Sequence, residues 1–365
     1  MTTPKHVIGR PVAGETQPQP ASSPARPAHH RALTRRRLIL GAAALTAAAV
    51  LPSPTVPGRI EPPPAAEAAV LPLYQRCRFG AYADNAPYPH VWPHYGLESI
   101  VGAHLGRMSW FQDMGVPWLD QQAAEAAHSN HDIMIAWQPS AAGRPIRFSD
   151  ILAGHWDTYL TDFFQHAANY PGTVILRPFW EMNASAGAYS LNYTGPDRQV
   201  DSTTQFIATW QYLVKAQRAV GGTQIKWFFC ANGTDTGPNR AEQYWPGTEF
   251  VDEIGFDTYN DDRGPWSSFE DRVTPMYGRL TQLAPHLPMT IGEIGCTETG
   301  APVGESKSSW TEQMFLSELF PQIRHISFFN AHADGNPDWR LNSSTASLAT
   351  HQRFLRRAPG ATSGR

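Results

Sequence analysis

From Phe79 onward the hydrophobic pattern repeats one unit: a short apolar run, a polar loop, then a longer amphipathic stretch. The apolar runs are rich in branched and aromatic residues and predict strands at Phe79–Ala83, Arg107–Phe111, Ile133–Gln138 and Val174–Phe179. Four more follow at Ile225–Ala231, Ile254–Tyr259, Met289–Ile294 and Ile326–Asn330. Between them, Trp118–Ser129, Ile151–Asn169, Thr203–Val220, Phe269–Leu283 and Thr311–Phe320 predict helices. Asn239–Phe250 is weaker, because Trp245-Pro246 interrupts it. Eight strands alternating with helices fit an α/β fold of the (β/α)8 TIM-barrel type. A doubly wound open sheet would carry a Gly-rich loop after its first strand. Here that strand ends in Tyr82-Ala83-Asp84-Asn85.

The pattern is absent before residue 71. Residues 1–52 combine a Pro/Ala/Gln/Ser-rich stretch, read as disordered, with Thr34-Arg35-Arg36-Arg37-Leu38-Ile39-Leu40 and an apolar run to Leu51. A basic segment before a short apolar one is an export signal, and the arginine pair resembles the twin-arginine type. The run is too short for a comfortable membrane span, although an uncleaved anchor stays open. Cleavage is expected after Ala49. Residues 53–70 read as a Pro/Ala-rich linker, 71–358 as one catalytic-size domain and 359–365 as a flexible tail. This places the mature protein in the secreted or cell-envelope space.

Composition narrows the function. A formal charge of −3 argues against a nucleic-acid partner, which needs a basic surface. Twelve Trp and twelve Tyr exceed what a core of this size requires, so some are candidate ring platforms for sugars. Three cysteines, Cys77, Cys230 and Cys296, permit at most one internal disulfide. No close Cys/His spacing predicts a metal, and His90, His94 and His104 read as structural. No metal or cofactor is expected.

In such a barrel the active site forms at the C-terminal ends of the strands. The fourth strand runs into Arg177-Pro178-Phe179-Trp180-Glu181-Met182-Asn183, and the seventh into Gly292-Glu293-Ile294-Gly295. A carboxylate beside a buried run is costly unless it is paired or used. Two of them from separate strands, Glu181 and Glu293, are the minimal equipment for glycoside hydrolysis. Trp110, Trp137 and Trp180, with Asn183 and Asn232, sit near strand ends and are candidates to stack on sugars or bind hydroxyls; Trp310 and Trp339 could border the cleft. Period-two alternation puts Phe179 and Arg177 on the face of Glu181, and Asp257 on the face of Tyr259. Arg177 inside the barrel then needs an anionic partner, expected to be Asp257 or Glu293.

The Glu181 segment resembles the acid/base segment of glycoside hydrolase family 26, which includes β-mannanases and belongs to a clan of retaining (β/α)8 enzymes. Gly255-Phe256-Asp257-Thr258-Tyr259-Asn260 resembles its strand-six segment, Gly292-Glu293-Ile294-Gly295 its nucleophile segment, and Phe329-Asn330 with Asp338-Trp339-Arg340-Leu341-Asn342 its strand-eight region. The resemblance implies an endo-β-mannanase-like hydrolase with Glu181 as acid/base, Glu293 as nucleophile and Tyr259 as a donor to it. The family usually has His before the acid/base Glu and Gly after the Asn; Trp180 and Ala184 stand there instead. Other β-glycans therefore stay open beside mannan. So does a non-catalytic carbohydrate-binding barrel. A metal-dependent hydrolase ranks last, because no His-x-His or His-Glu-x-x-His occurs. The expected partner is carbohydrate alone, and the expected state a monomer.

Overall fold

The structure, a computed structural model, describes residues 70–88, 91–184, 187–332 and 337–361. The export signal and most of the linker lie outside the described residues, as do His90 and the last four residues of the tail. Eight parallel strands close into a barrel: β1 (Arg78–Ala83), β2 (Arg107–Asp113), β3 (Asp132–Gln138), β4 (Val174–Pro178), β5 (Ile225–Asn232), β6 (Glu253–Asn260), β7 (Met289–Cys296) and β8 (Ile323–Asn330). Each pairs with its chain neighbours, and β1 closes on β8. β4 and β7 are buried at every position, as strands covered on both faces must be.

Around the barrel lie α1 (Leu73–Arg76), α2 (Trp92–Val101), α3 (Asp120–His128), α4 (Phe148–Leu152), α5 (Asp157–Ala167), α6 (Thr203–Val220), α7 (Phe269–Leu283), α8 (Lys307–Leu316) and α9 (Thr345–Leu355). Local chemistry sets their ends. Ser202, Ser268, Ser306 and Ser344 each accept a backbone N–H in the first turn of the helix that follows. The cap at Ser306 starts α8 four residues before the predicted Thr311. The stretch Ile151–Asn169, predicted as one helix, is two. Gly154 adopts φ 79°, which no continuing helix allows, and it separates α4 from α5. The segment 239–250 holds two single 3-10 turns, Ala241–Tyr244 and Thr248–Phe250, on either side of Trp245-Pro246. Among the described residues no helix is long and apolar enough to cross a membrane.

Two apolar clusters share the core. The larger fills the layer between barrel and helices. The smaller is Met134, Ile175, Phe228 and Cys230, with Trp180 packed against it. All three cysteines are free and buried.

Candidate active site

Glu181 reaches the barrel mouth through an irregular turn. β4 stops at Pro178, and Phe179 and Glu181 then take left-handed backbone, φ 52° and 57°. The Glu181 N–H donates to the Cys230 carbonyl on β5 at 2.9 Å, and its own carbonyl accepts from Ala184. This turn ends the strand period. Phe179 does not share the face of Glu181: it packs outward on Phe148, Tyr189, Phe206 and Trp210. Alternation fails there because it presumes extended backbone through residue 181.

Glu293 arrives by a different device. Along β6 the step from Phe256 to Thr258 spans two residues; its partners on β7, Ile291 and Ile294, are three apart. β7 therefore carries a bulge at Gly292-Glu293, which re-aims the side chain. A Cβ at Gly292 would meet Asp257 Oδ1 at 2.6 Å and Arg177 Nη1 at 2.8 Å, so only glycine fits beneath the ion pair.

Arg177 lies inside the barrel, 1% exposed. Its Nη1 donates to both Asp257 oxygens, at 2.9 and 3.1 Å, and its Nη2 donates to Glu293 Oε1. The Tyr259 hydroxyl donates to Glu293 Oε2. Glu293 thus accepts on both oxygens, the setting that suits an acceptor-only ionised carboxylate. Burial works against the Arg177 charge, but Asp257 and Glu293 outweigh it and raise its pKa well above the ordinary value. Asp257 is raised well above the ordinary carboxylate value by burial and by the charges of Glu293 and Glu181, against the pull of Arg177. The Cys230 thiol donates to Asp257 Oδ1 at 3.1 Å.

The aromatic wall differs from the expected one. Trp180 is half-buried beside Glu181, edge-on to Phe111, with the Arg177 guanidinium 5.6 Å from its ring centre. Trp137 is a correction: it is fully buried, stacked on Phe163 of α5. Trp110 is another. It is 2% exposed in the helix-facing core, where its N–H donates to Gln112. On β2 the inward positions are Arg107, Ser109 and Phe111, so Trp110 faces the helices. Trp310 likewise sits in the core, donating to the Ser267 carbonyl. Asn183 is fully buried and its amide is spent within the chain. It donates to the Asn232 carbonyl and Asp235, and accepts from the Asn232 N–H, so it braces the turn rather than offering a group to a sugar. Trp339 packs on Tyr259 and Phe329, with a buried N–H that has no partner among the described residues. Sequence reasoning missed Tyr82, Phe111 and Phe329. These rings contact one another at the ends of β1, β2 and β8. Their position at strand ends was a usable signal.

Two carboxylates, a shared arginine, a tyrosine donor and an aromatic wall thus meet at one barrel mouth. The glycosyl hydrolase family 26 model matches residues 158–318, which include both Glu181 and Glu293. Endoglucanase H of Acetivibrio thermocellus is 28% identical over 255 residues, covering 68% of this chain and 27% of that protein. The chain thus spans about a quarter of the length of this curated relative. The fold resembles that of two solved structures. The catalytic domain of the GH26 endo-β-1,4-mannanase of Bacillus sp. JAMB-750 aligns with TM-score 0.58 at 16% identity, covering 78% of this chain and 89% of that one. The GH26 β-mannanase of Bacteroides ovatus aligns with TM-score 0.56 at 16% identity, covering 78% and 90%.

Proposed function

We propose that the protein is an exported retaining glycoside hydrolase that cleaves β-linked polysaccharide, mannan-type first, by double displacement. The observation that carries this is Glu293, held on both oxygens by Arg177 and Tyr259 at the same mouth as Glu181. Glu293 attacks the anomeric carbon as the glycosidic bond breaks, and Glu181 gives its proton to the leaving oxygen. A covalent glycosyl-enzyme results. Glu181, now ionised, takes a proton from water, whose oxygen displaces Glu293 and restores both groups. Arg177 and Tyr259 fix the nucleophile and take up its charge when it is released. Trp180, Phe111 and Phe329 supply the apolar faces against which sugar rings stack, with the buried Tyr82 packed behind them. The mannanases among the solved relatives favour mannan; the name of Endoglucanase H favours a β-glucan as the second substrate to try.

The test is turnover on galactomannan, β-glucan, xylan and aryl glycosides, with product anomers read by NMR. Glu293→Gln is expected to lose at least about 10⁴-fold in kcat. Glu181→Gln is expected to lose about 10²–10⁴-fold. Full activity in both variants would refute the mechanism. Saturable polysaccharide binding by the wild type without turnover would instead support a binding barrel. Export is tested separately: replacing Arg35, Arg36 and Arg37 by Lys, which removes the pair directly before Leu38, is expected to retain the protein inside the cell.

A further inference from the structure

At the opposite end of the barrel, four side chains converge that the proposed chemistry does not use. His94 and Glu98 lie one helical turn apart on α2, so they share a face. His104 stands just before β2, and His131 just before β3. Glu98 Oε1 lies 2.9 Å from His131 Nε2, 3.0 Å from His104 Nδ1 and 3.7 Å from His94 Nε2. The Leu105 N–H also donates to this oxygen. One carboxylate oxygen has two lone pairs, and three nitrogens, His131 Nε2, His104 Nδ1 and the Leu105 N–H, stand within hydrogen-bond distance of it. Hydrogen bonding alone leaves that oxygen oversubscribed, whereas a cation shared among these atoms would not.

We propose that His94, Glu98 and His131 form a structural site for a divalent transition metal of the zinc class, with water as the fourth ligand and His104 as an outer-shell partner of Glu98. The ligand atoms of His94, Glu98 and His131 lie within 4.8 Å of one another. Ligands about 2.0–2.1 Å from a tetrahedral zinc stand about 3.3 Å apart, which the Glu98 Oε1 distances to His131 and His94, 2.9 and 3.7 Å, bracket. Imidazole and carboxylate together suit zinc rather than calcium or magnesium, which prefer all-oxygen sets. The Nδ1 atoms of His94 and His131 are buried and have no partner among the described residues, whereas His94 Nε2 lies 3.1 Å from the Leu105 carbonyl and must give up that contact to take a metal. Glu98 and His104 also line a cavity of about 910 Å³ at this end of the barrel, which gives an ion a route in. Binding would clamp α2 to the starts of β2 and β3. Those strands are seven residues long, so the site lies about 23 Å from their mouth ends and away from the sugar chemistry.

The experiment uses the full chain without a histidine tag, stripped with chelator. Zinc uptake is measured by elemental analysis, cobalt(II) geometry by its visible spectrum, and Tm with and without zinc. The expected result is one zinc per chain, a tetrahedral cobalt spectrum, and a Tm rise of roughly 5 °C at zinc a hundredfold above Kd. Stripped and loaded protein should share one kcat. Losing an outer-shell partner typically costs 10–100-fold in metal affinity, so Glu98→Gln and His131→Gln should each weaken binding at least about 100-fold. His104→Gln, at a partly exposed position, serves if either variant fails to fold by circular dichroism. Uptake well below one equivalent by the wild type would overturn the site, as would unchanged affinity in the variants that fold.

Discussion

Glu253 and Asp257 stand four residues apart on one face of β6, about 13 Å along the strand, and each meets an arginine inside the barrel. At the lower pair, Arg107 donates to both oxygens of Glu253, at 3.1 and 2.9 Å, and the Thr290 hydroxyl adds a bond at 2.6 Å. There, one cation meets one anion. Burial opposes the Glu253 charge, but Arg107, His325 and Thr290 outweigh it and hold its pKa at about 2. At the upper pair, Arg177 is divided between Asp257 and Glu293, with Glu181 close by. Burial and the two extra acids drive Asp257 upward. The same strand and the same residue types thus give a closed pair at one end and an acid surplus at the other. The difference lies in stoichiometry, not in residue type. A matched pair holds the fold together. A surplus of carboxylate around one arginine leaves charge free to do chemistry.

The largest expected effect falls on the matched pair. Glu253→Gln leaves Arg107 buried with half its partner gone and should cost about 3–5 kcal/mol of stability, read by denaturant unfolding, with kcat unchanged in the folded fraction. A large loss of kcat there would break the distinction between the two ends. Arg177→Lys keeps the upper charge but cannot span two acids with one ammonium. It should lower kcat about 10²-fold in steady-state assays while the fold survives. Asp257→Asn is the sharper probe. Burial and the neighbouring acids raise Asp257, so its charge contributes less than that of Glu253, and the amide should cost less stability than Glu253→Gln in the same unfolding assay.

The smallest expected effect is in pH dependence. The folded Glu253 pKa of about 2 lies below its ordinary 4.5, so the unfolded chain takes up the proton first as pH falls. Its stabilisation is complete above about pH 4.5 and is lost progressively toward pH 2. Glu253→Gln should flatten that limb of the stability–pH curve. An Asp257→Asn variant should leave it in place.

The barrel was legible because parallel strands buried on both faces read as uninterrupted apolar runs. The interior place of Arg177 was read by counting alternation back from Glu181; the place and its acidic partners are right, although the turn at Phe179 breaks that count. Alternation failed at Phe179, where two left-handed residues turn the chain, and nothing in Phe-Trp-Glu announces such a turn. Trp110 and Trp137 misled for a related reason. Nearness to a strand end says nothing about which face a ring takes, and both fall on the helix-facing parity. The bulge at Gly292-Glu293 was invisible as well, since it is defined against the registers of two other strands. The His94/Glu98 spacing was open to view on one helix turn. Its partners His104 and His131 become neighbours only when β2 and β3 pair.

The left-handed backbone at Glu181 has a consequence for how this chain can vary. Such a conformation costs an L-residue roughly 1–2 kcal/mol, a penalty glycine or asparagine at 181 would largely avoid. Random drift judged on folding alone would therefore favour losing the carboxylate. A population of such chains freed from selection for turnover should shed Glu181 before it sheds Arg107 or Glu253, and gain thermal tolerance as it does so.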